Sequence, residues 1–213
     1  LDMAGVPHHA AEGYVRRMVE QGFRVAVCEQ LQDPSEAKGV VERGVTRIVT
    51  PGTLVDESLL QDSQTNLLCA LQTKENTVYI SVCEISTGLF ELHTTTFDRI
   101  EDALERLGVA EVIVPEDDEA LISKVEHQAI SLTKRPSWHF DIHEGSEQLK
   151  RQFRVTTLAG FGIDEQHPIV GVAGAILEYL GVTQASKDVL AHLQPPILRT
   201  TDQFVALDAT TIR

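Results

Sequence analysis

The amino-acid sequence predicts an α/β (α+β) protein, in which a partial mixed α/β unit precedes a domain with a mixed five-stranded sheet and flanking helices. Three observations predict this architecture: a helix and two strands within the first fifty residues, a run of three strands after them, and then helices that alternate with strands. The chain has 213 residues, of which 42% are hydrophobic and 23% charged, so it is long and apolar enough to bury such a core.

The first unit begins with an amphipathic helix. Apolar residues four apart form two adjacent rows, one of Ala10, Tyr14 and Met18 and one of Ala11, Val15 and Val19. Gly22 ends this helix, residues 23–29 alternate as a strand that ends before Asp33-Pro34, and a second strand covers residues 40–50. Two strands are fewer than a stable sheet usually needs, so we expect residues upstream of this chain to complete the unit.

The second unit opens with three strands, at residues 66–71, 78–86 and 89–94, the last two joined by a turn at Thr87-Gly88. Asp98 and Glu101 predict a capping box for a helix that Gly108 ends, and residues 112–114 form a short apolar strand typical of one covered on both faces. The remaining predicted elements are a helix at 120–127, a strand at 130–134, helices at 146–153 and 168–180, and an apolar segment at 204–209. This order builds the mixed sheet of ribonuclease H-like domains.

Composition limits the classes of function. The net charge is -14, and residues 1–50 hold six of the Lys and Arg residues against seven Asp and Glu, so almost all of the negative charge lies after residue 50. Because phosphate binding needs clustered Lys and Arg, any contact with nucleic acid is expected in the first fifty residues. The longest apolar run, residues 169–180, is interrupted by two glycines and a glutamate and is shorter than the roughly 20 residues that cross a bilayer, so we expect no membrane span.

Cysteine and histidine usage indicates neither disulfides nor a metal site. The three cysteines, Cys28, Cys69 and Cys83, lie in apolar or alternating runs, and we expect them to be reduced core thiols of a cytoplasmic protein. His139 and His143 lie near Asp141 but lack the further ligands of a zinc site, so we expect no metal there.

Several ordered motifs resemble one known family. The strongest are Met-Ala-Gly-Val-Pro-His-His-Ala (3–10), Glu-Gly-Tyr (12–14), Val-Ala-Val-Cys-Glu-Gln (25–30), Asp-Pro with a following Lys-Gly (33–34 and 38–39), and Arg-Ile-Val-Thr-Pro-Gly-Thr (47–53). Weaker matches continue with Glu-Ile-Ser-Thr-Gly (84–88), Leu-Ala-Gly-Phe-Gly (158–162) and Leu-Asp-Ala-Thr-Thr (207–211). Over nearly its whole length the chain resembles the MutS family of DNA mismatch-repair proteins.

The resemblance implies three segments and a function. Residues 1–60 resemble the later part of the mismatch-binding domain I, residues 65–190 the ribonuclease H-like connector domain II, and residues 191–213 the start of the core or lever domain III. The family binds mismatched or unpaired duplex DNA and signals ATP-dependently to MutL. The resemblance therefore implies mismatched double-stranded DNA as a partner, MutL as a partner of the connector domain, and a homodimer of the complete protein.

The two best-defined sites of the family are expected outside this chain. In the family a Phe with a nearby Glu probes the mismatch, and a P-loop ATPase that uses ATP and Mg drives dimerisation and signalling. The sequence contains no Gly-x-x-x-x-Gly-Lys-Ser/Thr motif, and no Phe-x-Glu precedes Met3. We therefore expect this chain to supply contact with the DNA backbone and coupling between domains, with no enzymatic activity and no cofactor of its own.

Four residues are the candidates for DNA contact. Alternation along strand 40–50 places Arg43 and Arg47 on one face, about 13 Å apart at roughly 3.3 Å per residue, which suits two non-adjacent phosphates. The resemblance places Met3 and His8 where the family's chain approaches the minor groove. The alternatives stay open: the arginines form ion pairs, Met3 fills a core, and His8 with His9 begins the helix.

Two other classes of function compete with this interpretation. A ribonuclease H-like fold can carry a metal-dependent nuclease site, for which Glu84, Asp117 and Asp118 are the plausible carboxylates. Fold alone does not imply that function, and an acidic surface explains the same residues. The other class is a pure protein-interaction module, which the acidic connector domain suits.

Overall fold

The computed structural model describes residues 4–32, 39–54, 66–184 and 190–199. Its first unit contains helix α1 (His8–Glu20) and the antiparallel strands β1 (Val25–Gln30) and β2 (Arg43–Val49). The predicted order of helix, strand, loop and strand is confirmed. Gly22, with φ of 83°, follows the end of α1, a conformation that favours glycine.

Only one of the two predicted apolar rows of α1 is buried. Val15 and Val19 pack with Val49 and Leu54 in a small core that Val25 and Val27 of β1 complete. Tyr14 and Met18, by contrast, are each 46% exposed. A two-stranded sheet is too narrow to cover both rows, so the predicted apolar stripe is wider than the buried face.

The second unit is a six-stranded mixed sheet with the order β7-β6-β3-β4-β5-β8. Its strands are β3 (Leu67–Lys74), β4 (Thr77–Glu84), β5 (Leu89–Thr96), β6 (Val109–Pro115), β7 (Ser131–Arg135) and β8 (Ile197–Leu198). The first three form an antiparallel meander, and β6 and β7 continue the sheet in parallel with β3. The five predicted strands and the ribonuclease H-like arrangement are confirmed, and the two-residue strand β8 adds a sixth, parallel to β5.

Helices cover both faces of this sheet. They are α2 (Ile100–Leu107), α3 (Glu119–Val125), α4 (Ile142–Phe153) and α5 (Ile169–Thr183). Along β3 the side chains alternate: Leu68 and Ala70 belong to the core under α4 and α5, whereas Cys69 and Leu71 belong to the core under α2 and α3. Strand β6 is likewise buried on both faces, as predicted. The sheet is therefore the middle of three layers.

Some local predictions are wrong. Asp98 does not cap α2, because a 3₁₀ turn over Phe97–Arg99 precedes the helix and makes Arg99 the residue before it, without a side-chain cap. Gly108 does end α2, in the left-handed conformation. Cys28 is exposed, unlike Cys69 and Cys83, because it lies on the face of β1 that turns away from α1.

Other predictions fall outside the described residues or stay predictions. The apolar segment at 204–209 lies outside the described residues, and the domain boundaries near residues 60, 65 and 190 stay predictions. No helix in the described part of the chain is long and apolar enough to cross a membrane. The two units touch through α5, which contacts β2 as well as the sheet of the second unit.

Candidate nucleic-acid interface

The basic side chains of α1 already have partners. The Arg16 guanidinium lies 2.8 Å from the Glu20 carboxylate one turn further along the helix. Arg17 lies over the ring of Tyr14, 4.7 Å from its centroid, and donates to the carbonyl of Gly13 at 3.2 Å. Exposed pairs of this kind contribute little to stability, so these cations can exchange a protein partner for a phosphate at small cost.

A β-bulge decides which face each arginine of the hairpin occupies. On the regular strand β1, Val27 pairs with Arg47 and Gln30 pairs with Arg43, and the register shifts next to Val27 so that Thr46 is the additional residue on β2. Because Val27 and Gln30 are three residues apart on an alternating strand, they lie on opposite faces, and so do their partners. The prediction that Arg43 and Arg47 share one face is therefore wrong.

The two arginines have different surroundings. Arg43 is exposed, on the solvent face that also carries Val45, which is 59% exposed. Arg47 is half-buried on the face that packs towards α1, and its backbone forms a β-bridge with Gln184 at the end of α5. Arg43 is thus accessible from solvent, whereas Arg47 lies where the two units meet. Their roles in DNA binding stay predictions.

The other two candidates are less defined. Met3 lies outside the described residues, so the prediction that it approaches the minor groove stays untested. His8 is the first residue of α1, next to Pro7 at the helix start, and the structure describes its backbone but not its side chain. The alternative that His8 and His9 begin the helix describes their backbone correctly.

An exposed tryptophan marks the acidic second unit. Trp138, the single tryptophan of the sequence, lies in a 3₁₀ turn after β7, is 67% exposed, and stacks on His139 with ring centroids 3.6 Å apart. It lines a groove of about 680 Å³ at the end of the sheet, named the Trp138 groove below. The other lining residues are Gln72, Ser137, His139, Phe140, Asp141, Ile142, Glu144 and Gln148.

Next to Trp138 lies a partly buried ionic cluster of Arg135, His139 and Glu178. Arg135 donates to both carboxylate oxygens of Glu178 at 2.9 and 3.0 Å, and His139 Nδ1 lies 3.1 Å from Glu178 Oε2. Burial lowers the pKa of His139, and Glu178 opposes that shift. The cluster holds the stacked ring pair at the mouth of the groove.

The carboxylates proposed for a nuclease site do not converge. Glu84 ends β4, beside the start of the antiparallel strand β3, whereas Asp117 and Asp118 follow β6, which is parallel to β3. They therefore lie at opposite ends of the sheet, too far apart to share two metal ions. Asp118 instead caps α3 through Leu121 N at 3.0 Å. Within the described ranges, no three His, Cys, Asp or Glu side chains form a metal-binding group.

Sequence reasoning missed the bulge and the groove for different reasons. Unbroken alternation would have put Arg43, Val45, Arg47 and Val49 on one face, and that mixture of basic and apolar residues is a signal that the pattern breaks. The exposure of Trp138 has no such signal, because it depends on how the turn after β7 meets α4 and α5. Neither feature changes the assignment of the fold.

Two family models match the chain, and their limits follow the two units. The model described as MutS domain I matches residues 1–58. The model described as MutS domain II matches residues 66–194, which is more than half of the 213 residues. The chain therefore belongs to the MutS family of DNA mismatch-repair proteins.

Proposed function

We propose that this chain is the part of a mismatch-recognition protein that contacts the backbone of mismatched or unpaired duplex DNA and couples that contact to the connector domain. The complete mismatch-repair protein is called the parent protein below. The observation that carries the proposal is the separation of surfaces: exposed arginines lie on the near-neutral first unit, and an exposed aromatic groove lies on the acidic connector domain.

Contact with DNA is assigned to the exposed face of the hairpin and to α1. Arg43 is exposed at the start of β2, and Arg16 and Arg17 are half-buried and exposed, respectively, along α1. Such contacts fix the protein on the backbone without reading sequence. Mismatch probing and ATP hydrolysis with Mg belong, in this proposal, to other parts of the parent protein, which acts as a homodimer, and this chain itself catalyses no reaction.

The salt dependence of DNA binding tests the role of Arg43. Each phosphate contact contributes about one unit to the slope of log K against log salt, so Arg43→Ala in the parent protein is expected to lower that slope by about 1. Arg47→Ala is the matched control, because Arg47 lies on the other face of the hairpin. Fluorescence anisotropy of a labelled mismatched duplex measures both. Equal slopes for Arg43→Ala and the unmodified protein would remove Arg43 from the interface.

Signalling to MutL is assigned to the Trp138 groove. Exposed tryptophans are enriched among the residues that contribute most to protein interfaces. The acidic side chains of Asp141 and Glu144 line the groove, and Asp117 bonds to Ser137 at its edge, so the surface suits a basic partner face.

Loss of the Trp138 side chain tests this assignment. Trp138→Ala in the parent protein is expected to weaken MutL binding by roughly tenfold or more, the size typical of an interface residue of this kind. Phe23→Ala is the matched control, because Phe23 is also an exposed aromatic residue, 55% exposed, but belongs to the first unit. Surface plasmon resonance with immobilised MutL measures both variants. Unchanged binding of Trp138→Ala, or equal losses for both variants, would place the MutL contact elsewhere.

A further inference from the structure

A fully buried carboxylate lies where the first unit meets the connector domain. Glu111 is the acidic residue of the otherwise apolar strand β6 and is 0% exposed. Its Oε1 accepts hydrogen bonds from Thr133 Oγ1 and Tyr179 OH, each at 2.7 Å. Its Oε2 accepts one from the backbone N–H of Gly52, in the first unit, at 3.0 Å.

The partners of Glu111 are donors without a formal charge. A buried carboxylate is costly unless several hydrogen bonds replace its water, and bonds to a charged acceptor are about twice as strong as neutral ones. Burial raises the pKa of Tyr179, and the negative charge of Glu111 raises it further, so the phenol stays protonated and donates. Each lost donor therefore leaves part of a buried charge unsatisfied.

The turn that carries Gly52 is shaped to reach this carboxylate. Thr50 and Thr53 are buried, the Thr50 N–H donates to Thr53 Oγ1 at 3.0 Å, and the two hydroxyl oxygens lie 2.8 Å apart. A Cβ at position 52 would come within 2.9 Å of both Glu111 Cβ and Leu68 Cδ1, closer than side chains pack. Glycine is thus required for the close approach of this backbone to Glu111.

We propose that Glu111 is a positioning residue, whose carboxylate fixes the orientation of the DNA-binding unit on the connector domain. The proposal rests on the proposed function only for its consequence. That consequence is that a movement of the first unit on DNA is transmitted to the connector domain through the hydrogen bond between Gly52 and Glu111. If the Gly52 turn moves away, the carboxylate loses one of its three donors, so the two units are coupled energetically. The β-bridge between Arg47 and Gln184 is a second contact between the units. A first unit that has lost its bond to Glu111 would rotate about this bridge.

The distance between the two units tests the proposal without DNA or MutL. Spin labels are attached to the exposed Cys28 in the first unit and to Glu105→Cys on the exposed side of α2, while the buried Cys69 and Cys83 stay unlabelled. In the 213-residue chain, pulsed electron paramagnetic resonance is expected to give a narrow distance distribution. Glu111→Gln keeps the shape of the side chain but removes its negative charge and replaces one acceptor oxygen with a donor, which weakens the bond to Gly52. It is expected to broaden the distribution.

Amide exchange supplies the second readout and the control. In Glu111→Gln the Gly52 amide is expected to exchange roughly tenfold faster, while the amides of β3 keep their protection. Thr133→Val removes a donor from Oε1 and leaves the Gly52 bond, so it is expected to lower stability without broadening the distance distribution. If Glu111 only stabilised the fold, Glu111→Gln and Thr133→Val would give the same distance distribution and the same exchange of the Gly52 amide.

Every outcome decides for or against the positioning role. A narrow distribution in Glu111→Gln with Gly52 exchange changed less than about twofold would overturn it, as would equal broadening in Thr133→Val. If Glu111→Gln does not fold, Gly52→Ala decides, because its Cβ pushes the turn off the carboxylate while every side chain of the connector domain keeps its chemical identity. A failed mismatch-binding assay of the parent protein would leave these results standing, so the two failures are distinguishable.

Discussion

The three cysteine thiols differ in reactivity because they differ in burial. Cys69 and Cys83 are fully buried, and burial raises the pKa of both, that of Cys83 to about 12, so they stay protonated at neutral pH. Cys28 is exposed. In the 213-residue chain we expect one thiol to react quickly with a disulfide reagent such as DTNB and the other two only after unfolding. Absorbance of the released thiolate measures this, and fast reaction of a second thiol in folded protein would contradict the structure.

Two buried histidines make stability depend on pH. His93 and His139 are each 8% exposed, and burial lowers the pKa of both, although Glu91 and Glu178 oppose the shift. Unfolded histidine takes up a proton below about pH 6.5 and these folded ones resist it, so the free energy of unfolding is expected to fall as pH falls below about 6.5.

Chemical denaturation at several pH values between 7 and 5 checks this prediction. The double variant His93→Gln with His139→Gln is expected to show a flatter dependence than the unmodified chain. Carboxylates with a lowered pKa, such as Glu165, lose their contribution to the free energy of unfolding at a lower pH. The change between pH 7 and 5 is therefore assigned to the histidines. A stability that rises towards pH 5, or a double variant with the full dependence, would contradict the account.

At the scale of elements, the crossing of α4 and α5 depends on glycine. A Cβ on Gly174 would overlap the Cα of Gly145, so Gly174→Ala is expected to destabilise the chain by about 1–3 kcal/mol, as overpacking does. Gly181 lies in the last turn of the same helix with nothing within 4 Å of its Cβ position. Gly181→Ala is therefore the matched control, expected to stabilise by up to about 1 kcal/mol through helix propensity. Thermal unfolding followed by circular dichroism compares them, and similar melting temperatures would argue against the close crossing.

Elements whose signal is local could be predicted from the sequence. The helices and the seven longer strands of the described residues follow from periodicity, and Gly22 and Gly108 mark helix ends through their own conformations. The bulge at Thr46 was not predicted, because a one-residue shift depends on how β1 and β2 pair across the loop. That shift reverses the face of every following residue on β2, which is why the candidate site was predicted less well than the fold.

In the molecule as a whole, the contacts between residues far apart in the sequence could not be predicted. The bond from Gly52 to Glu111 spans 59 residues, and that from Tyr179 to Glu111 spans 68. A lone Glu in an apolar strand signals a buried polar partner, but the sequence does not say which residue that partner is. The strand β8 was missed for the same reason, since its two residues are ordered by pairing with β5.

The assignment of backbone contact to the first unit predicts how the isolated chain binds mismatched and paired DNA. We expect it to bind a mismatched and a fully paired duplex with equal affinity, because backbone contacts carry no base information. Electrophoretic mobility shift with two duplexes that differ at one base pair measures this. A preference for the mismatched duplex would mean that this chain probes bases itself.

In the proposed function, the first unit faces DNA and the connector domain faces MutL. Hydrogen–deuterium exchange of the parent protein, alone, with duplex DNA and with MutL, tests it most directly. Within this chain, DNA is expected to protect α1 and the β1–β2 hairpin, and MutL is expected to protect residues 137–141 beside the Trp138 groove. Protection of the groove by DNA, or of the hairpin by MutL, would contradict the account.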